Sequence, residues 1–96
     1  MDRNEVFRLL KKTKKELQKK YPIKKLGVFG SFAQNTQTDQ SDLDIVVEVS
    51  NPNMFDLTGI KQDIEERVNK KVDIVRLRER MNKYLKHRIE CEVQYV

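Results

Sequence analysis

Apolar residues recur along the first part of the chain at helical spacing. Val6, Leu9, Leu10 and Leu17, with Thr13 between them, share one face, and Lys, Arg, Glu and Gln fill most other positions. This period predicts an amphipathic helix over residues 3–20. Tyr21-Pro22 ends it, because proline disfavours helix at the residue before it. Leu26-Gly27-Val28-Phe29 is a short apolar run that reads as a buried strand stopping at Gly30-Ser31. Residues 34–42 are polar and turn-like. The β-branched run Leu43-Asp44-Ile45-Val46-Val47-Glu48-Val49 reads as a second strand, broken by Ser50-Asn51-Pro52-Asn53.

Helical spacing returns over residues 54–69, where Leu57, Ile60, Ile64 and Val68 share a face. Val72-Asp73-Ile74-Val75-Arg76-Leu77 reads as a third strand, and Met81, Leu85 and Ile89 mark a helix over 80–91. Residues 92–96 read as a short extended tail. The order is helix, strand, loop, strand, helix, strand, helix. It implies an α/β (α+β) class, with helices packed against a small mixed three-stranded sheet. With 96 residues and neither repeat nor linker, the expectation is a single domain over residues 1–96.

Hydrophobic residues make up 38% of the chain, which together with these clear apolar runs excludes a disordered tail. No stretch approaches the ~20 apolar residues that span a bilayer. Met1 to Leu10 lacks the basic-then-apolar order of a secretion signal. Cys91 is the sole cysteine, so neither an intrachain disulfide nor a cysteine metal cluster is available. The expected location is the cytoplasm, with no membrane partner. A net charge of +5 suits a nucleic acid, an acidic protein or a polyphosphate ligand, and charge alone does not choose among them. Lys11, Lys12, Lys14, Lys15, Lys19 and Lys20 form a basic helix face of the kind RNA phosphates require. A solvated helix explains it equally, and no aromatic residues interleave for base stacking, so nucleic acid is the less favoured partner. Self-association is left open.

Three acids stand where a core pattern does not want them. Asp42 and Asp44 flank Leu43 at the start of a strong strand, and residues two apart on a strand project from the same face. Asp73 lies inside an otherwise apolar strand. Buried carboxylates without a partner are costly, and neighbouring ones repel. A hard divalent cation such as Mg²⁺ or Mn²⁺ removes both problems, using carboxylate oxygens together with substrate phosphate. Pairing with nearby Lys or Arg, or exposure at a strand end, explains the same residues without a metal. For Asp73 alone that is the favoured explanation. Gly30-Ser31 adds a possible phosphate turn, since glycine lets the backbone approach a ligand and a helix start leaves N–H groups free. Gly-Ser by itself is an ordinary turn. The order Gly30-Ser31, polar loop, Asp42-Leu43-Asp44, strand, helix, Asp73 is more specific. It brings a phosphate clamp and three candidate metal ligands to one sheet edge.

The stretch Gly27 to Glu48, GVFGSFAQNTQTDQSDLDIVVE, resembles the core motif of the polymerase-β-type nucleotidyltransferase superfamily. The whole chain resembles its minimal nucleotidyltransferase (MNT) branch, including Lys71-Val72-Asp73-Ile74-Val75 and the ending Leu85-Lys86-His87-Arg88-Ile89. The resemblance implies a polymerase-β-like fold in which Asp42 and Asp44 hold two Mg²⁺ ions. Asp73 would complete the metal site and help accept the acceptor's proton. Gly30 and Ser31 would hold the triphosphate of ATP. It also implies an antitoxin role, with AMP transferred to a tyrosine of a HEPN-domain toxin. Two other functions stay open: an antitoxin that neutralises its partner by binding alone, and a small RNA-binding module. Members of this branch often carry Arg-Gly after Gly-Ser-x-Ala, whereas this chain has Gln34-Asn35. The departure leaves the acidic triad whole and bears on nucleotide affinity, although asparagine tolerates a positive φ better than most residues.

Among the remaining residues, His87 reads as a surface or packing position, Cys91 as a small packing residue, and the rings of Tyr84 and Tyr95 as buried ones. Glu48 lies on the Asp44 side of its strand, where it could touch the site or sit exposed at the sheet end.

Overall fold

The computed structural model describes residues 2–51 and 53–96, excepting the side chain of Met54. Pro52, placed in the break after the second strand, lies outside them, as does Met1. The chain runs α1 (Arg3–Leu17), β1 (Ile23–Phe29), α2 (Ser31–Gln34), β2 (Leu43–Val49), α3 (Met54–Val68), β3 (Val72–Arg76), α4 (Lys83–Glu92) and β4 (Gln94–Tyr95). The sheet is mixed, in the order β3-β2-β1-β4. β1 pairs antiparallel with both β2 and β4, and β2 pairs parallel with β3 through the α3 crossover.

The sheet therefore has four strands where the hydrophobic pattern gives three. The difference is β4, two exposed residues at the C-terminus. A segment that short has no periodicity, and only its pairing with Gly27 and Val28 makes it a strand. β1 also begins three residues earlier than the apolar run, because Lys24 and Lys25 are exposed and hide the strand's start. Helix α1 is shorter than its pattern and closes at Leu17, with residues 18–20 forming turns.

Alternation along the strands sorts the side chains onto two faces. On β2, Leu43, Ile45 and Val47 join Leu26, Val28 and Val72 in the main core, against Val6, Leu10 and Leu17 of α1 and Ile60, Ile64 and Val68 of α3. The opposite face carries Phe29 and Val46, covered by Ile89 of α4, with Val75, Leu77, Met81, Leu85 and Val93 around them. By parity Asp44 and Asp73 belong to this second face. It is thinly covered, by one short helix, and that leaves charged groups on it within reach of solvent.

Helix ends are set by local chemistry. The Asp2 side chain accepts the Glu5 N–H at 2.8 Å, Asn53 caps α3 through the Phe55 N–H, and Asn82 caps α4 through the Leu85 N–H. Asn69 closes α3 in the left-handed region at φ 53°. Among the described residues, no helix is long and apolar enough to cross a membrane. Three side-chain expectations are corrected. Tyr84, expected to bury its ring, is 88% exposed at the start of α4, and Tyr95 is exposed on the two-residue edge strand. Cys91, expected to pack, is exposed with its Sγ 3.6 Å from His87 Nε2, because both lie on the outer side of a helix covered on one side only.

Candidate functional site

β1 ends and β2 and β3 begin at the same edge of the sheet. The register places Phe29 beside Asp44, and Asp44 beside Asp73. Gly30 follows Phe29 directly. The backbone there turns with φ 73° and ψ −151°, a region that a side chain rarely allows. The absent side chain matters as much as the angle. A Cβ on Gly30 would run into the Asp44 carboxylate and stand 3.3 Å from Arg88 Nη2. Glycine is thus the residue that lets the turn and the acid share the space.

Ser31 opens the single turn of α2, half-exposed beside this edge. The first N–H groups of such a turn have no partner inside the helix and are suited to phosphate oxygens. The Gly30 N–H is not one of them. It donates to Glu92 Oε1 at 2.9 Å. The end of α2 is held just as firmly. Arg3 of α1 donates through Nε to the Phe32 carbonyl at 2.6 Å and through Nη2 to the Ala33 carbonyl at 3.3 Å. Gln94 Nε2 donates to the same Ala33 carbonyl at 2.8 Å. Asn35 closes the turn in the left-handed region at φ 60°, the conformation that glycine would supply at that place.

Asp42 precedes the first residue of β2. The loop before it is tied by the Thr38 N–H to Ser41 Oγ bond at 2.8 Å and the Ser41 N–H to Thr38 carbonyl bond at 3.0 Å. The Leu43 N–H, donating to the Lys71 carbonyl at 3.0 Å, fixes the start of β2 against the approach to β3. Asp44 is half-buried. Burial, then the neighbouring Asp73 carboxylate, push its carboxyl above the ordinary aspartate value. Arg88 works in the opposite direction, and Asp42 and Glu92 add to the rise. The site thus carries more negative charge than its one nearby guanidinium offsets.

That charge balance and donor chemistry fit a hard divalent cation. Among the described residues, no three acid, imidazole or thiolate groups already converge on a single point. A cation here would complete its shell with phosphate oxygens, as Mg²⁺ does with few protein carboxylates.

Gly30, Ser31, Asp42, Asp44 and Asp73 thus lie at one end of the sheet, with Gly30 against Asp44 and Asp44 beside Asp73. Asp73 is exposed rather than buried, because β3 is the sheet's edge strand. Glu48 is not part of this group: it pairs across from Lys25, four residues or ~13 Å along β2. Two residues of α4 escaped sequence reasoning. Arg88 lies against Phe29, with its guanidinium 5.4 Å from the ring centre, and Glu92 holds Gly30. The helical pattern over 80–91 leaves Glu92 in the tail, whereas the structure makes it the last residue of α4, so its spacing of four from Arg88 shows only in the fold. Arg3 was hidden by distance, being 29 residues from the carbonyl it holds.

A glycine turn ending one strand, facing acids that open two parallel strands of a small mixed sheet, defines the nucleotidyltransferase class. The sequence pattern of the polymerase beta nucleotidyltransferase family matches residues 11–96, and the chain belongs to that family. It is 34% identical over 94 residues to MJ0126 of Methanocaldococcus jannaschii, provisionally named a protein adenylyltransferase; the match covers 97% of this chain and 96% of that protein. A solved structure described as a minimal nucleotidyltransferase superposes with a TM-score of 0.79 at 27% identity, covering 98% of this chain and 95% of the other. A chain from the complex of a tri-AMPylated Shewanella oneidensis HEPN toxin with an MNT antitoxin superposes with a TM-score of 0.61 at 18% identity, covering 97% of this chain and 66% of that one. That last likeness is one of fold.

Proposed function

We propose that this chain transfers AMP from ATP to a hydroxyl of a partner protein, a tyrosine of a HEPN-domain toxin, and thereby acts as its antitoxin. The observation that carries the reading is the close fit of the Gly30-Ser31 turn against Asp44, with Asp73 beside Asp44 in register. The 34% identity to MJ0126 over nearly the whole length supports protein adenylylation, and the HEPN–MNT complex of the same fold supports the partner.

The positions of these residues support a division of labour. The free N–H groups at the start of α2 and the Ser31 hydroxyl receive triphosphate oxygens. Asp42, Asp44 and Asp73 would hold Mg²⁺, or Mn²⁺, in company with those oxygens. Two such ions, when bound, lower the acceptor hydroxyl's pKa and offset charge on the leaving pyrophosphate. Asp73 would take the proton of an incoming hydroxyl, a role that its exposure on the edge strand supports. The acceptor oxygen bonds to the α-phosphorus, the bond to the bridging oxygen breaks, and pyrophosphate departs.

The test is transfer of α-labelled AMP to a co-purified HEPN partner, with and without Mg²⁺, by wild type and by Asp44→Asn. Labelling that needs the metal and disappears in the variant is the expected result. Neutralisation of the partner with no labelling by wild type would leave an antitoxin that works by contact alone. RNA binding with steep salt dependence and no labelling would point to the lysine face of α1 instead.

A further inference from the structure

We propose that Glu92 is a positioning residue for nucleotide transfer, holding the Gly30 turn in register with Asp44 from the end of α4. The inference rests on the reading of the site given above and adds a residue to it.

Backbone groups two residues apart on a strand point to the same side. Leu26 points toward β4, since its carbonyl accepts the Val96 N–H at 2.9 Å. Val28 and Gly30 therefore point that way too. Val28 finds Gln94 opposite it. Gly30 finds no strand, because β4 starts only at Gln94 and Glu92, the residue that falls opposite it, still belongs to α4. The N–H of Gly30 would be left without a ladder partner at the point where the phosphate turn begins. Glu92, the last residue of α4, fills the gap with its carboxylate at 2.9 Å. Its side chain is only 15% exposed, so water competes weakly for the bond. Arg88, one turn earlier, donates its Nε to Glu92 Oε2 at 3.2 Å and fixes the carboxylate from the other side. The same arginine reaches the space beside Asp44. One side chain thus ties the turn, the helix and the site's guanidinium together. The bond lies on the β4 side of Gly30, opposite the side that faces β2, so Glu92 braces the turn from its outer edge.

The experiment compares steady-state AMP transfer and ATP binding by the full chain as wild type, Glu92→Gln and Glu92→Met. Glutamine keeps an oxygen that accepts the Gly30 N–H; methionine has similar length and no such acceptor. Glu92→Met is expected to raise the KM for ATP and to lower kcat/KM by about tenfold or more, the scale of a misplaced reacting group. Glu92→Gln is expected to recover most of that loss, and the Gly30 amide to stay protected from hydrogen exchange in Glu92→Gln but not in Glu92→Met. Wild-type kinetics in Glu92→Met would overturn the proposal. So would tighter ATP binding in that variant, since Glu92 would then be a competitor of phosphate. Equal damage in both variants would also overturn it, because charge and not the accepted hydrogen bond would be at work. If Glu92→Met does not fold, Glu92→Gln alone decides, since loss of ATP binding in it contradicts the positioning role. A wild type that neither binds ATP nor transfers AMP would instead remove the reading of the site.

Discussion

At the scale of single residues, Asp44 carries its charge at a cost to the fold. Burial and the Asp73 carboxylate hold its carboxyl above the ordinary value, against the pull of Arg88. An acid whose pKa is higher folded than unfolded binds protons more tightly in the folded state. Stability therefore declines as pH rises from the ordinary aspartate range through the raised value, and the full cost is present above it. Asp44→Asn removes that cost. Solvent screening at a half-buried site keeps the gain to about 1 kcal/mol or less. In a domain of this size that is a rise in Tm of a few degrees at pH 7, with little change at a pH low enough to protonate Asp44, and AMP transfer is lost. Calorimetric scans across pH check it; a lower Tm at pH 7 would mean the carboxylate stabilises the fold. Gly30 is the second such residue. Gly30→Ala meets both an unfavourable backbone conformation and the Asp44 carboxylate, and is expected to cost about 1–3 kcal/mol from the backbone alone, read by urea unfolding.

At the scale of elements, the four residues of α2 are too few to hold a helix by their own hydrogen bonds. Its place is set from outside, by Arg3 on the Phe32 and Ala33 carbonyls and by Asn35 in the left-handed region. Gln34-Asn35, the departure from the Arg-Gly of related sequences, therefore leaves the turn intact, with asparagine in glycine's conformation and the guanidinium arriving from α1. Arg3→Met removes hydrogen bonds from a charged donor, worth about 1.5–3 kcal/mol each. It is expected to raise the KM for ATP severalfold while Asn35→Gly leaves it unchanged. Kinetics of the two variants side by side check this. Equal KM values for Arg3→Met and wild type would show that α2 holds its place without α1.

At the scale of the whole molecule, one core carries most of the stability. Ile45 is fully buried at the centre of the face that α1 and α3 cover. Ile45→Ala is expected to cost about 2–5 kcal/mol, a large share of the ~5–15 kcal/mol that holds a domain together. Urea denaturation is the measurement, with a lower midpoint and an unchanged slope expected. The other face is packed more thinly. It has one short helix over it, and its charged edge holds Asp44, Asp73, Arg88 and Glu92.

The order of helices and strands around β2 and β3, the buried faces of α1 and α3, and the acids and glycine of the candidate site were all legible in the sequence. They are encoded in local spacing: period two on a strand, period 3.6 on a helix, and a turn residue at a strand end. β4 was not, since two exposed residues become a strand only by meeting the edge of β1. Nor were the partners of Gly30 and α2. Glu92 lies 62 residues from Gly30, and Arg3 lies 30 from Ala33. Their spacing within their own helices does not say what they will touch. The sequence by itself determined which residues could do the chemistry, because those choices are local. Tertiary structure alone decided how they are held, because a hydrogen bond between distant segments exists only once the sheet has set their positions.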